Sequence, residues 1–142
     1  MKVIIAGSRS IVGYGIVCEA IKASGFDITE AVSGCAPGVD KSGERWAREV
    51  LGRRSRIFPA LWQDKASPTY NARRGYDPLA GHKRNRQMAE YADALIAVWD
   101  GYSAGTRHMI EVARELGLQV YVHQPNRGTT GKRTTNGGTD AI

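Results

Sequence analysis

Short β-branched runs alternate along this chain with longer stretches whose apolar residues recur every three or four positions. Residues 2–6 (KVIIA) are apolar after the lysine, the pattern of a strand buried on both faces, and Gly7-Ser8-Arg9-Ser10 bounds them. Val12, Ile16, Val17, Ala20 and Ile21 then follow helical spacing over about residues 12–24, with Gly25 as the stop. A second strand at 29–33 runs into a glycine and proline turn, and a helix over 39–51 stops at Gly52. A third strand spans 55–58, closed by Pro59. Residues 60–81 are polar and without period, and a loop of that length inside a compact domain is usually functional or mobile. A helix over 82–91, the strong strand ALIAVW at 94–99, a helix over 106–116 and a last strand at 119–122 complete the pattern.

Five strands alternating with four helices predict an α/β, Rossmann-like three-layer sandwich around a mainly parallel sheet. Ligands of such sheets bind at the carboxyl ends of the strands, beside the point where strand order reverses. The length of 142 residues fits one domain, placed at 1–123. After His123 apolar residues almost vanish, so 124–142 are expected to form a disordered polar tail.

Composition narrows the classes. The chain is 42% hydrophobic and 24% charged, as a packed domain requires. No apolar run reaches the roughly 18–20 residues of a membrane span, and the first run is too short for a signal peptide. A cytoplasmic protein without membrane association is expected. Cys18 and Cys35 show neither CxxC nor Cys/His spacing, which argues against a disulfide framework or zinc; no metal or cofactor is expected. The net charge of +6 and pI near 9.6 favour anionic partners, either polyanions or small phosphorylated ligands.

The turns after the strands carry the chemistry. In the first, Gly7 and Ser8 allow a tight bend and Arg9 can meet a phosphate, although a capping serine beside a solvated arginine reads equally well. In the second, Ser33-Gly34-Cys35-Ala36-Pro37-Gly38-Val39-Asp40, N–H groups at a helix start offer an anion site. Asp40 there would repel a bare phosphate; it suits a ribose or base hydrogen bond, or the helix dipole. The third, Asp100-Gly101-Tyr102-Ser103-Ala104-Gly105-Thr106, joins an approachable backbone to two hydroxyls and carries most weight for phosphate. Trp99 and Tyr102 beside it are candidates for base stacking or for the core. A fourth element, His82-Lys83-Arg84-Asn85-Arg86, sets basic residues against the positive end of a helix dipole, a cost that an anionic ligand or a carboxylate such as Asp64 relieves. Neither GxGxxG nor GxxxxGK[ST] occurs.

In combination these segments resemble the SLOG superfamily, which includes the SMF/DprA and LOG proteins, and within it the small YspA-like branch related to YpsA. The likeness rests on Gly7-Ser8-Arg9, Ser33-Gly34 with Gly38-Val39-Asp40, Arg84-Asn85, and Trp99-Asp100-Gly101 with Ser103, Gly105 and Thr106, over residues 1–123. It implies a Rossmann-like fold, a nucleotide-derived ligand and a homo-oligomer, in a setting that includes defence against phage. The LOG phosphoribohydrolases of this superfamily place a glutamate two or three residues after a Gly-Gly-x-Gly-Thr turn. Here Arg107, His108 and Met109 follow Thr106, and the next glutamate is Glu111. Asp40 and Asp100 are the remaining catalytic candidates for glycosidic cleavage.

The leading expectation is therefore a binding module, for sensing or sequestration of a nucleotide-derived phosphorylated molecule. Its site comprises Gly7, Ser8, Arg9, Ser33, Gly34, Asp40, Arg84, Asn85, Asp100, Gly101, Ser103, Gly105 and Thr106. A nucleoside 5′-monophosphate phosphoribohydrolase is the first alternative. Single-stranded DNA binding of the DNA-processing protein A type is the second, motivated by the basic charge and by Arg73-Arg74 with Tyr70 and Tyr76. The 59–81 insertion, with Trp62, Tyr70 and Tyr76 as aromatic anchors, suits a lid or an oligomer contact.

Overall fold

A computed structural model describes residues 1–125 and 133–134 of the chain. Strands β1 (Lys2–Gly7), β2 (Glu30–Ser33), β3 (Arg56–Ile57), β4 (Ala94–Val98) and β5 (Gln119–His123) lie parallel in the order β3-β2-β1-β4-β5. Helices α1 (Tyr14–Ser24), α2 (Val39–Trp46), α3 (Ala80–Tyr91) and α4 (Ala104–Glu115) accompany them. The strand order reverses between β1 and β4, whose carboxyl ends pair in register through Gly7 and Val98. A crevice opens at such a reversal because the connections leave in opposite directions.

The two-residue period of β1 divides the core. Val3 and Ile5 pack with Val17, Ile21, Val39 and Ala47 on the α1/α2 face. Ile4 and Ala6 pack with Met88, Ala89, Met109 and Ala113 on the α3/α4 face. Every residue of β4 is buried, as a central strand covered on both sides requires. The fold is thus the predicted three-layer α/β sandwich.

Local differences have local causes. Helix α1 begins at Tyr14 rather than Val12, because Gly13 is still extended at φ −75°, ψ 110°. Helix α2 passes into a π-helical turn at Ala47–Leu51 before Gly52 ends it in the left-handed region at φ 69°. Strand β3 keeps two residues, both exposed, at the sheet edge. Arg133–Thr134 form a further strand, β6, antiparallel to β5. Of the stretch 124–142 expected as a disordered polar tail, Gln124 is buried and Arg133–Thr134 pair with β5. The remainder of that stretch, 126–132 and 135–142, lies outside the described residues.

The insertion is ordered around one carboxylate. Asp77, 1% exposed, accepts hydrogen bonds from Thr69 Oγ1 at 2.7 Å, Ser67 Oγ at 2.8 Å, the Leu79 N–H at 2.9 Å and Lys83 Nζ at 3.0 Å. Burial opposes its ionisation, but these donors outweigh that and hold its carboxyl below the ordinary range. Asp77 is therefore the carboxylate that relieves the basic start of α3. Asp64, named for that part from the sequence, instead accepts the Ala66 N–H at 3.0 Å. Among the described residues no helix is long and apolar enough to cross a membrane.

Candidate functional site

The turn after β1 is fixed by close approach. A Cβ on Gly7 would lie 2.0 Å from the Val98 carbonyl oxygen, so only glycine lets β1 and β4 end side by side. Ser8 is buried; its N–H donates to that carbonyl at 3.0 Å and its Oγ accepts the Asp100 N–H at 3.1 Å. The first and last of the three turns are tied together in this way.

The turn after β2 folds against the first. Gly38 adopts φ 81°, and a Cβ there would stand 2.6 Å from the Arg9 carbonyl oxygen and 2.7 Å from that of Ser8. Ser33 Oγ donates to Glu44 Oε2 at 2.6 Å and accepts the Cys35 N–H at 3.1 Å. Asp40, 4% exposed, accepts the Ala36 N–H at 3.2 Å. Burial pushes its carboxyl up to about 6, against the Ala36 and Gly7 N–H groups and the Arg84 charge, which favour ionisation.

The turn after β4 has the opposite electrostatics. Asp100 Oδ1 accepts the Tyr102 and Ser103 N–H groups, each at 2.8 Å, and Oδ2 accepts from Ser10 Oγ at 3.4 Å. Those backbone bonds hold its carboxyl below the ordinary range. Ser103 is the N-cap of α4 without a side-chain cap bond, and its Oγ accepts from Thr106 Oγ1 at 3.2 Å. The first-turn N–H groups of α4 have no intrahelical acceptors.

Helix α3 supplies the cation. Arg84 donates through Nη1 to the Gly34 carbonyl and through Nε to Asn85 Oδ1 at 3.1 Å. No ion pair among the described residues reaches it; both of these partners are neutral oxygens. Burial lowers its pKa while Asp40 acts against that, and a guanidinium stays charged throughout. Asn85, 5% exposed, donates through Nδ2 to the Gly105 carbonyl at 3.3 Å and to His108 Nδ1 at 3.1 Å. That bond assigns the His108 proton to Nε2. The His108 ring stacks on His82 at 3.8 Å between centroids, 9° from parallel, and burial followed by the facing His82 lowers its pKa.

These turns enclose a cavity of about 510 Å³ at the β1/β4 reversal, within the size range of small-molecule sites. Of the residues proposed from the sequence, Gly7, Arg9, Asp40, Arg84, Asn85, Asp100, Ser103, Gly105 and Thr106 line it. Ser8, Ser33, Gly34 and Gly101 do not: they hold the turns, Gly34 by receiving Arg84 and Gly101 by turning at φ 88°. Trp99 and Tyr102 are also absent from the wall. Trp99 packs against the core with Nε1 on the Ser103 carbonyl, and Tyr102 is 87% exposed. Sequence reasoning missed Ser10, Ala36, Trp62, Pro78, Gly81, His82, Met88 and Met109 as wall residues. His82 stood beside Arg84 in the basic run and was the one most open to notice; Trp62 arrives from the insertion, which has no period to place it. Among the described residues no cluster of three His, Cys, Asp or Glu side chains is arranged to hold a metal.

No family model matches the chain. Over 83 residues it is 28% identical to the uncharacterized SPbeta prophage-derived protein YoqJ of Bacillus subtilis (strain 168), covering 57% of this chain and 48% of that one. The chain thus spans about half the length of this curated relative. Among solved structures it is similar to DNA processing protein A from Helicobacter pylori, described for its single-stranded DNA binding mode. There the TM-score is 0.60 at 20% identity, over 86% of this chain and 64% of that one. DNA processing protein A (DprA) from Streptococcus pneumoniae gives a TM-score of 0.60 at 22% identity, over 85% of this chain and 49% of that one. The chain therefore shares a Rossmann-like α/β fold with these two structures.

Proposed function

We propose that this chain binds the phosphate of a nucleotide-derived molecule in the β1/β4 cavity, with Arg84, Arg9 and the amino end of α4 receiving the phosphate. The observation that carries this reading is Arg84: a largely buried guanidinium, clamped by two neutral oxygens, facing a cavity with no carboxylate in ion-pair range. A buried charge that no carboxylate contacts, with Asp40 acting on it only from beyond ion-pair distance, is costly, and a dianionic ligand reduces that cost. Asp40, whose carboxyl burial pushes up to about 6, lines the same wall and is available to a ribose hydroxyl. The pattern of turns also supports placement in the YspA-like branch, and the prophage-derived relative supports a phage-linked setting.

Single-stranded DNA is the second reading. The two DprA neighbours and the net charge of +6 favour it, and relatives support it more directly than they support a free nucleotide. The concave wall, with Trp62 and Pro78 among its lining residues and a volume suited to a small molecule, favours the free nucleotide. The test is mass spectrometry of small molecules released by heat from undialysed protein, together with fluorescence anisotropy on a labelled oligonucleotide at rising salt. A stoichiometric nucleotide species establishes the first reading. Oligonucleotide affinity that falls steeply with salt, with no species released, establishes the second. Failure of both rejects the phosphate assignment.

A further inference from the structure

The cavity wall carries two kinds of chemistry, and the second points past the phosphate. Its polar lining comprises Ser10, Asp100, Ser103, Thr106 and the Arg84 guanidinium, whose Nη2 lies 3.9 Å from where a Gly81 Cβ would stand. The insertion and the start of α3 add Trp62, Pro78 and His82 to the wall, and Met88 and Met109 are its buried apolar members. Trp62 does not hang loosely there. Its ring lies over Gly81, where a Cβ would be 3.2 Å from Cη2, and it packs at 6.4 Å on Tyr76. Its carbonyl accepts the Asp77 N–H at 2.7 Å, which ties it to the Asp77 cluster. His82 is equally constrained, lying flat against His108, whose own orientation is set by Asn85. Both rings are therefore held in place before any ligand arrives, and both still border open space.

Aromatic side chains that are rigid yet leave surface on a cavity are the means by which proteins take up the π-faces of bases. We propose that Trp62 and His82 form a nucleobase subsite, stacking the base of the ligand whose phosphate Arg84 receives. Asn85 and His108 act as positioning residues behind it. The proposal rests on the phosphate reading above and extends it to the base. It also gives the insertion a task, as the segment that completes the pocket. Because the subsite is built from ring faces, it accepts a purine or pyrimidine with little discrimination, whether from a mononucleotide or from a unit of a strand.

The test compares ligands with and without a base on the intact chain. Isothermal titration is run with the four ribonucleoside 5′-monophosphates, with ribose 5-phosphate and with a short single-stranded oligodeoxynucleotide. Trp62→Leu is expected to weaken the base-bearing ligands about tenfold while ribose 5-phosphate changes less than about twofold. Trp62→Phe, which keeps a π-face, restores most of the loss. Tryptophan emission of the wild type is quenched by base-bearing ligands and not by ribose 5-phosphate, and the quench disappears in Trp62→Phe. Dependence on Trp62 in the mononucleotide arm or in the oligonucleotide arm supports the subsite and tells which source supplies the base. Equal weakening of ribose 5-phosphate and nucleotides, or no weakening, overturns it while leaving the phosphate reading intact. Absence of binding by any phosphorylated probe, with Arg84→Ala no different from wild type, overturns both.

Discussion

The turns after β2 and β4 sit on opposite sides of the same strand reversal, and each brings a carboxylate to the cavity wall. They use it in opposite ways. Asp100 is surrounded by donors: two backbone N–H groups close an Asx-type turn on one oxygen, Ser10 approaches the other, and the carboxyl stays ionised. Asp40 is nearly as deep as the core, meets few donors, and is pushed up to about 6. The difference teaches that a carboxylate beside a helix start takes its chemistry from how many N–H groups reach it and how much water it has lost. Asp100 is a brace for the turn after β4; Asp40 is a buried polar group whose titration is pushed up to about 6.

The comparison breaks most visibly at its scaffold. Gly38→Ala puts a side chain into the left-handed region against two backbone carbonyls, and is expected to cost about 3 kcal/mol in urea denaturation. Asp40→Asn tests the electrostatics. The folded pKa of Asp40 lies above the ordinary value of 3.8, so the native state binds more protons than the unfolded chain between about pH 4 and pH 6. Stability should fall across that window as pH rises, by about 2–3 kcal/mol, and stay lower above it. Denaturation midpoints of Asp40→Asn against pH should lose that slope.

Arg84→Ala sharpens the link between the turns. It removes the charge that favours ionised Asp40, so the pH slope should extend to higher pH, read in the same denaturation series. Phosphate affinity by titration calorimetry should drop about tenfold or more, roughly 1.5 kcal/mol or above. Arg84→Lys should recover only part of it, because an ammonium cannot span Gly34 and Asn85 as the planar guanidinium does. The smallest effect falls on the brace. Asp100→Ala strips an acceptor from two N–H groups at the start of α4 and should cost about 1 kcal/mol, while Asp100→Asn retains an acceptor oxygen and should stay within about 0.5 kcal/mol.

Much of this arrangement is written locally in the chain. The runs KVIIA and ALIAVW have no polar face to turn toward water, so they become strands covered on both sides, and a parallel sheet follows. Gly7, Gly38 and Gly101 mark the places where backbone meets backbone or turns left-handed, and each falls at the end predicted for a strand or the start of a helix. Nine of the thirteen residues proposed for the site reach the cavity because strand ends and helix starts converge there whatever the loop details.

Tertiary structure alone decided the rest. Ser33 and Ser8 have the composition of ligand-binding residues, yet burial sends their hydroxyls to Glu44, to the Cys35 N–H and to the Asp100 N–H. Which of Asp40 and Asp100 keeps its proton to higher pH depends on burial and on donors contributed by other turns, which no local pattern encodes. Asp77 rather than Asp64 neutralises Lys83 because the insertion folds back on itself, a path set by long-range hydrogen bonds in a segment without period. Trp62 joins the pocket for the same reason, and His82 is locked by a stack on a helix 26 positions further on. The sequence determined the strands, the mainly parallel sheet and the glycine turns, since hydrophobic periodicity and backbone sterics act between near neighbours; which strands flank the reversal was decided by the folded chain. The protonation of the carboxylates and the aromatic lining were settled only by the folded chain, since burial and ring contacts are properties of what comes to lie alongside.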